Sequence, residues 1–120
     1  MSTRILIVDD YPTARKTVRS LLVWHHMDVC GEAENGKQAI EKVKQLQPDL
    51  VLLDINMPVM NGVQVAYQIR QIAPSTKILF FTIHDSPENM AAARLIVDGF
   101  VPKSDAGTML IPEVKRLLEV

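Results

Sequence analysis

Four short apolar runs, at residues 5–8, 50–53, 78–81 and 100–101, are continuous rather than alternating. That is the pattern of strands covered on both faces, as in the centre of a parallel sheet. A fifth run, residues 28–33, sets Val29 and Gly31 against Cys30 and Glu32 and reads as a less apolar edge strand. The intervening segments carry helical spacing. Ala14, Val18, Leu21 and Leu22 make one apolar stripe, with Arg15, Lys16 and Arg19 on the wet face. Similar stripes are Ala39, Val43 and Leu46; Val65 or Ala66, Ile69 and Ile72; and Leu110, Ile111, Val114, Leu117 and Leu118. Residues 90–97 are apolar almost all round apart from Arg94, so a helix is expected there without a marked buried face.

Boundary residues agree with this partition. Pro12 and Pro87 suit first helical turns, Asn35-Gly36 and Asn61-Gly62 mark turns, and Pro48 and Pro74 fall just past helix ends. Pro112 lacks an N–H to donate and is tolerable only in a first turn, which places the start of the last helix near Thr108. A strand-helix unit is thus repeated five times. Strict alternation with short connections implies right-handed crossovers and an α/β, (βα)5 doubly wound, parallel five-stranded sheet with helices on both faces.

Residues 1–120 are read as one domain, a length that builds a sufficient core without disulfides or structural metal. The lone Cys30 and the lack of an apolar leader suit a reducing cytoplasm. No apolar run approaches the roughly 20 residues of a membrane span. A formal net charge of -1, with scattered Lys and Arg, argues against direct nucleic-acid contact.

In an open doubly wound sheet, ligands bind outside the carboxyl ends of the strands, where strand order reverses. The residues expected there are Asp9 and Asp10 after strand one, Asp54 after strand three, Thr82 ending strand four and Lys103 after strand five. Three carboxylates and one ammonium leave two net negative charges in one cleft, which a divalent cation would cancel. Oxygen-only ligands favour Mg²⁺ sharing its coordination with a phosphate. With cation and lysine neutralising phosphoryl oxygens, a carboxylate can act as nucleophile toward phosphorus. Spacing alone does not settle which one. Asp9 and Asp10 are adjacent and form a natural clamp, leaving Asp54 as the solitary candidate.

Val8-Asp9-Asp10, Asp54-Ile55-Asn56-Met57-Pro58, Asn61-Gly62, Thr82 and Lys103, in that order and across the whole chain, resemble the receiver domain of two-component response regulators, a flavodoxin-like fold. The resemblance implies that Asp54 accepts a phosphoryl group from a phosphohistidine on a sensor histidine kinase or phosphotransfer protein, with acetyl phosphate as a small-molecule substitute. It implies Mg²⁺ bound by Asp10, Asp54 and the backbone carbonyl of Asn56, with Asp9 acting largely through metal-bound water. It implies Lys103 and Thr82 on phosphoryl oxygens, Thr82 drawing its loop inward and the aromatic of strand five, Phe100, turning into the space vacated. The output surface would combine residues 90–97, strand five and the last helix. A homodimer through those two helices is compatible with the sequence. Asn56 and His84, two residues past Asp54 and Thr82, are expected to tune the lifetime of the phosphorylated state. Two departures stand out: Ile83 is large where the family commonly has a small residue, which narrows access to Asp54, and Pro102 precedes Lys103 instead of following it.

The structural roles expected in the same loop are a turn fixed by Pro58, Met57 packed beneath it, and a turn or close approach at Gly62. An aspartyl-phosphate phosphatase would want a second aspartate at position 56, which is Asn, and residues for a cap. A flavin or nucleotide binder would want a glycine-rich cradle where the chain reads Asp9-Asp10-Tyr11-Pro12. A phosphorylation-independent adaptor would not need the intact acids and Lys103. The reading is therefore a non-enzymatic signalling module. Residues 31–36 and 99–104 resemble receivers fused to DNA-binding transcription factors more than stand-alone ones.

Overall fold

Parallel pairing of five strands, in the order Asp28–Ala33, Arg4–Val8, Leu50–Leu53, Lys77–Thr82 and Gly99–Pro102, organises the chain. A computed structural model describes residues 3–83, 91 and 93–119. The strands are β1 (Arg4–Val8), β2 (Asp28–Ala33), β3 (Leu50–Leu53), β4 (Lys77–Thr82) and β5 (Gly99–Pro102). Four helices are described in full: α1 (Pro12–Trp24), α2 (Gly36–Leu46), α3 (Gly62–Ile72) and α4 (Ile111–Leu118). Residues 91, 93 and 94 are also helical and the chain turns at residues 95–96, so the helix expected at residues 90–97 ends sooner; His84, Pro87 and residues 90 and 92 lie outside the described residues. No described helix is long and apolar enough to cross a membrane.

Strand alternation sorts the apolar residues into two cores. Leu6, Val8, Val51, Leu53, Ile78 and Phe80 face α2 and α3, where Ala39, Val43, Val65, Ala66 and Ile69 meet them. Ile5, Ile7, Leu50, Leu52, Leu79 and Phe81 face the opposite way, toward Val18 and Leu22 of α1 and Val114 and Leu117 of α4. Successive residues point to opposite faces of a strand, so a strand buried on both sides must be apolar at every position. That is why β1, β3 and β4 appear as unbroken runs.

Three expectations need correction. The run at residues 100–101 belongs to an edge strand, since β5 pairs with β4 alone. It is apolar because Val101 enters one core while Phe100 packs with Ile96 and Val97 against the other. Pro102 at its end has no N–H to offer, as suits an edge. The last α-helix begins at Ile111 rather than near Thr108, although Pro112 does sit in its first turn. A 3₁₀ turn at Lys103–Asp105 and a π turn at Ala106–Leu110 wind the chain ahead of it. Ile72 is exposed, and the stripe from Ile69 continues four residues on to Ala73, which packs against the core.

The two Asn-Gly pairs are helix starts. Asn35 Oδ1 accepts the Gln38 N–H at 2.9 Å. Asn61 and Gln64 exchange reciprocal bonds of 3.0 Å in a capping box. Pro12 occupies the first turn of α1, and Pro48 and Pro74 follow the ends of α2 and α3.

Candidate functional site

Register brings the acids together. Val8 pairs with Leu53, so the next residues, Asp9 and Asp54, leave the sheet side by side between β1 and β3. This is where the crossovers diverge to opposite faces, the switch point of the sheet. Backbone bonds continue the ladder one step further, Asp9 N–H to the Ala33 carbonyl at 3.1 Å and Asp54 N–H to the Val8 carbonyl at 3.0 Å. Leu53 pairs with Phe80, which sets Thr82, two residues on, beside the same opening.

Carboxylate oxygens of Asp9, Asp10 and Asp54 lie within 4.8 Å of one another. Asp9 and Asp54 are buried, whereas Asp10 is exposed at the mouth. Lys103 Nζ stands 2.6 Å from Asp9 Oδ2 and 3.6 Å from Asp54 Oδ2. The preceding Pro102 does not prevent this: extended at φ -64° and ψ 141°, it delivers Lys103 into the 3₁₀ turn that aims it back at the acids. Thr82, fully buried, donates from Oγ1 to Asp54 Oδ1 at 2.8 Å. The Asn56 N–H reaches the same oxygen at 3.2 Å, and its side-chain amide reaches Thr82 Oγ1 at 3.4 Å. Burial pushes the Asp54 carboxyl above its ordinary range, Asp9 adding to the rise while Thr82, Lys103 and the Asn56 N–H oppose it.

The loop after Asp54 is shaped by close backbone approach. Gly62 N–H donates to the Ile55 carbonyl at 2.8 Å, and a Cβ on Gly62 would lie 2.2 Å from the Asp54 carbonyl oxygen. Met57 is buried beneath this loop. Ile83 is exposed and lines a cavity of about 440 Å³ with Tyr11, Leu21, Phe81, Lys103 and Ala106. Phe100 is half-buried.

Arg15, placed by its spacing on a wet face, is turned inward with 16% of its side chain exposed. It donates to the Asp9 carbonyl at 2.7 Å and to Glu32 at 3.2 Å. Periodicity within α1 cannot show this, because the partners are Asp9, just past the end of β1, and Glu32 on β2.

The sequence profile of the response regulator receiver domain matches residues 5–115. The chain belongs to that family. This receiver is 40% identical over 106 residues to a protein-glutamate methylesterase/protein-glutamine glutaminase of Methanosarcina mazei, covering 86% of the chain and 30% of that relative. It is 39% identical over 101 residues to the nitrate/nitrite response regulator protein NarL of Escherichia coli, covering 82% of the chain and 47% of NarL. The receiver thus spans about a third and about half of the lengths of these relatives. A LuxR-family two-component response regulator from Aurantimonas superposes with a TM-score of 0.92 at 28% identity, over 99% of the receiver and 86% of that chain. The fold and the acidic pocket are consistent with the phosphoacceptor role of receivers in two-component systems.

Proposed function

We propose that Asp54 is the phosphoacceptor and that a phosphohistidine of a sensor histidine kinase or phosphotransfer protein is the donor. The supporting observation is the meeting of Asp54 with Asp9, Asp10, Lys103 and Thr82 at one switch point. The donor set fits a hard divalent cation. It is all oxygen, three carboxylates close enough to share one ion, and the burial that disfavours a charged Asp54 is what a cation relieves. Asp9, Asp10 and Asp54, with the Asn56 backbone carbonyl, would hold Mg²⁺. When bound, it supplies positive charge for the phosphoryl oxygens.

In the transfer, an Asp54 carboxylate oxygen attacks phosphorus, a P–O bond forms, and the P–N bond of the donor breaks with its electron pair returning to the imidazole. Lys103 neutralises a phosphoryl oxygen. The Thr82 hydroxyl, now on Asp54 Oδ1, exchanges that acceptor for a phosphoryl oxygen, and Phe100 reorients behind it. The new group brings nearly two negative charges and fresh acceptors, so it favours the arrangement that presents Thr82 and Lys103 to them. The response is a binding change rather than turnover of an outside substrate. It is carried by β5, α4 and residues 90–97, within a longer DNA-binding regulator or a stand-alone receiver. Asn56 beside Thr82, Ile83 at the rim and His84 set the lifetime of the phosphorylated state.

Intact mass after treatment with acetyl phosphate and Mg²⁺ tests this reading. One adduct of about 80 Da is expected on the native chain and none on Asp54→Asn. An unmodified native chain, or equal labelling of the variant, overturns it.

A further inference from the structure

The peptide between the two clamp aspartates is gripped from α1. A carbonyl and the next residue's N and Cα share one plane, so whatever fixes the Asp9 carbonyl also fixes the direction in which Asp10 sets out. Asp9 has its other groups engaged already: its N–H bonds Ala33, Oδ1 takes the Tyr11 N–H at 2.9 Å, and Oδ2 takes Lys103. Asp10 is exposed and depends on that shared plane for its aim. The carbonyl bond comes from Arg15 Nη1 at 2.7 Å. Arg15 is itself oriented from the sheet edge, its Nε on Glu32 Oε1 at 3.2 Å, while Arg19 takes Glu32 Oε2 at 2.7 Å and Lys42 bonds the Glu32 carbonyl.

We infer that Arg15, aligned by Glu32, is a positioning residue for the cation site: it locks the Asp9-Asp10 peptide so that Asp10 converges on Asp54, and thereby sets the affinity for Mg²⁺. The inference rests on reading Asp9, Asp10 and Asp54 as that site. A guanidinium is a planar fork that can serve a carbonyl and a carboxylate together, which a single ammonium on a flexible stem does poorly. Groups that orient metal ligands without touching the metal typically govern affinity strongly when removed.

Calorimetric titration with Mg²⁺ tests this on the wild type, Arg15→Ala, Arg15→Lys, Glu32→Gln and Arg19→Ala, each first checked for folding by circular dichroism. Arg15→Ala is expected to weaken Mg²⁺ binding about tenfold, and Arg15→Lys and Glu32→Gln about threefold. Arg19→Ala, which shares Glu32 but does not touch Asp9, stays within about twofold of wild type. In acetyl phosphate labelling of Asp54, the half-saturating Mg²⁺ concentration rises by more than the rate at saturating Mg²⁺ falls. A purely structural role would lower the melting temperature without that split. Should Arg15→Ala not fold, the lysine and glutamine variants decide. Wild-type affinity in both overturns the inference and leaves the cation site standing. Absence of Mg²⁺ binding by the wild type overturns the site reading and this inference with it.

Discussion

Asp54 carries a conflict that the rest of the site exists to manage. Its carboxyl is buried, which favours the neutral form, and it faces Asp9, which favours it further. A folded-state value above the ordinary 3.8 means that the folded chain holds this proton more tightly than the unfolded chain does. The stabilisation from that tighter hold is fully present below pH 3.8 and is lost as pH rises through the folded value. At neutral pH the ionised Asp54 is therefore a cost to the fold. Asp54→Asn is expected to melt at a higher temperature than wild type at pH 7 without Mg²⁺. The gap narrows on acidification toward pH 3.8, and thermal melts at a series of pH values check both. A variant that melts lower at pH 7 would show that Lys103 and Thr82 outweigh burial. Added Mg²⁺ should reverse the order, since it stabilises the charged side chain and has less to hold in the variant.

The contact between the start of α3 and the end of β3 sets the loop that presents Asp54. Gly62, the first residue of α3, lies so near the Asp54-Ile55 backbone that a methyl group would overlap the Asp54 carbonyl at 2.2 Å. Backbone cannot swing aside as a side-chain tip can. Gly62→Ala is thus expected to destabilise by about 1–3 kcal/mol, read as a lower urea midpoint. It should also slow acetyl phosphate labelling of Asp54, because the displaced carbonyl belongs to that residue. An unchanged midpoint would mean that the loop relaxes freely. Much at this scale was legible in the sequence, for identifiable reasons. Strands β1, β3 and β4 announced themselves because burial on both faces leaves no position for a polar residue. The asparagines that open α2 and α3 read in the sequence as turn residues, and their role in satisfying free N–H groups at the helix starts comes from the structure. The edge position of β5 was not legible, because apolarity reports covered faces and says nothing of a missing neighbour. The π turn before Pro112 was not, because it depends on hydrogen bonds along the chain rather than on side-chain type. At the site, the five residues Asp9, Asp10, Asp54, Thr82 and Lys103 could be picked out by strand ends alone. Arg15 could not, because its meaning lies in a register between β1 and β2.

Across the whole molecule, the acids are separated in sequence but carried by the two central strands, β1 and β3, whose side chains belong to both cores. A cation held at their tips therefore couples to the unfolding of the entire sheet rather than to a loop. In the unfolded chain the three carboxylates are far apart, so Mg²⁺ taken up at the proposed site would bind the folded state and shift the equilibrium by mass action. At ten times its dissociation constant, one bound ion stabilises by about 1.4 kcal/mol. With a urea slope of about 1–3 kcal/mol/M for a domain of this size, the midpoint should move up by about 0.5–1.4 M. The slope itself should stay unchanged, because the folded and unfolded chains expose the same surfaces with or without the ion. A chelator should return the midpoint to its starting value, and Asp10→Asn should blunt the shift. A changed slope would place the ion's effect on partial unfolding of the acid-bearing loops. An unmoved midpoint at saturating Mg²⁺ would mean that the three carboxylates, near as they are, do not act as one ligand.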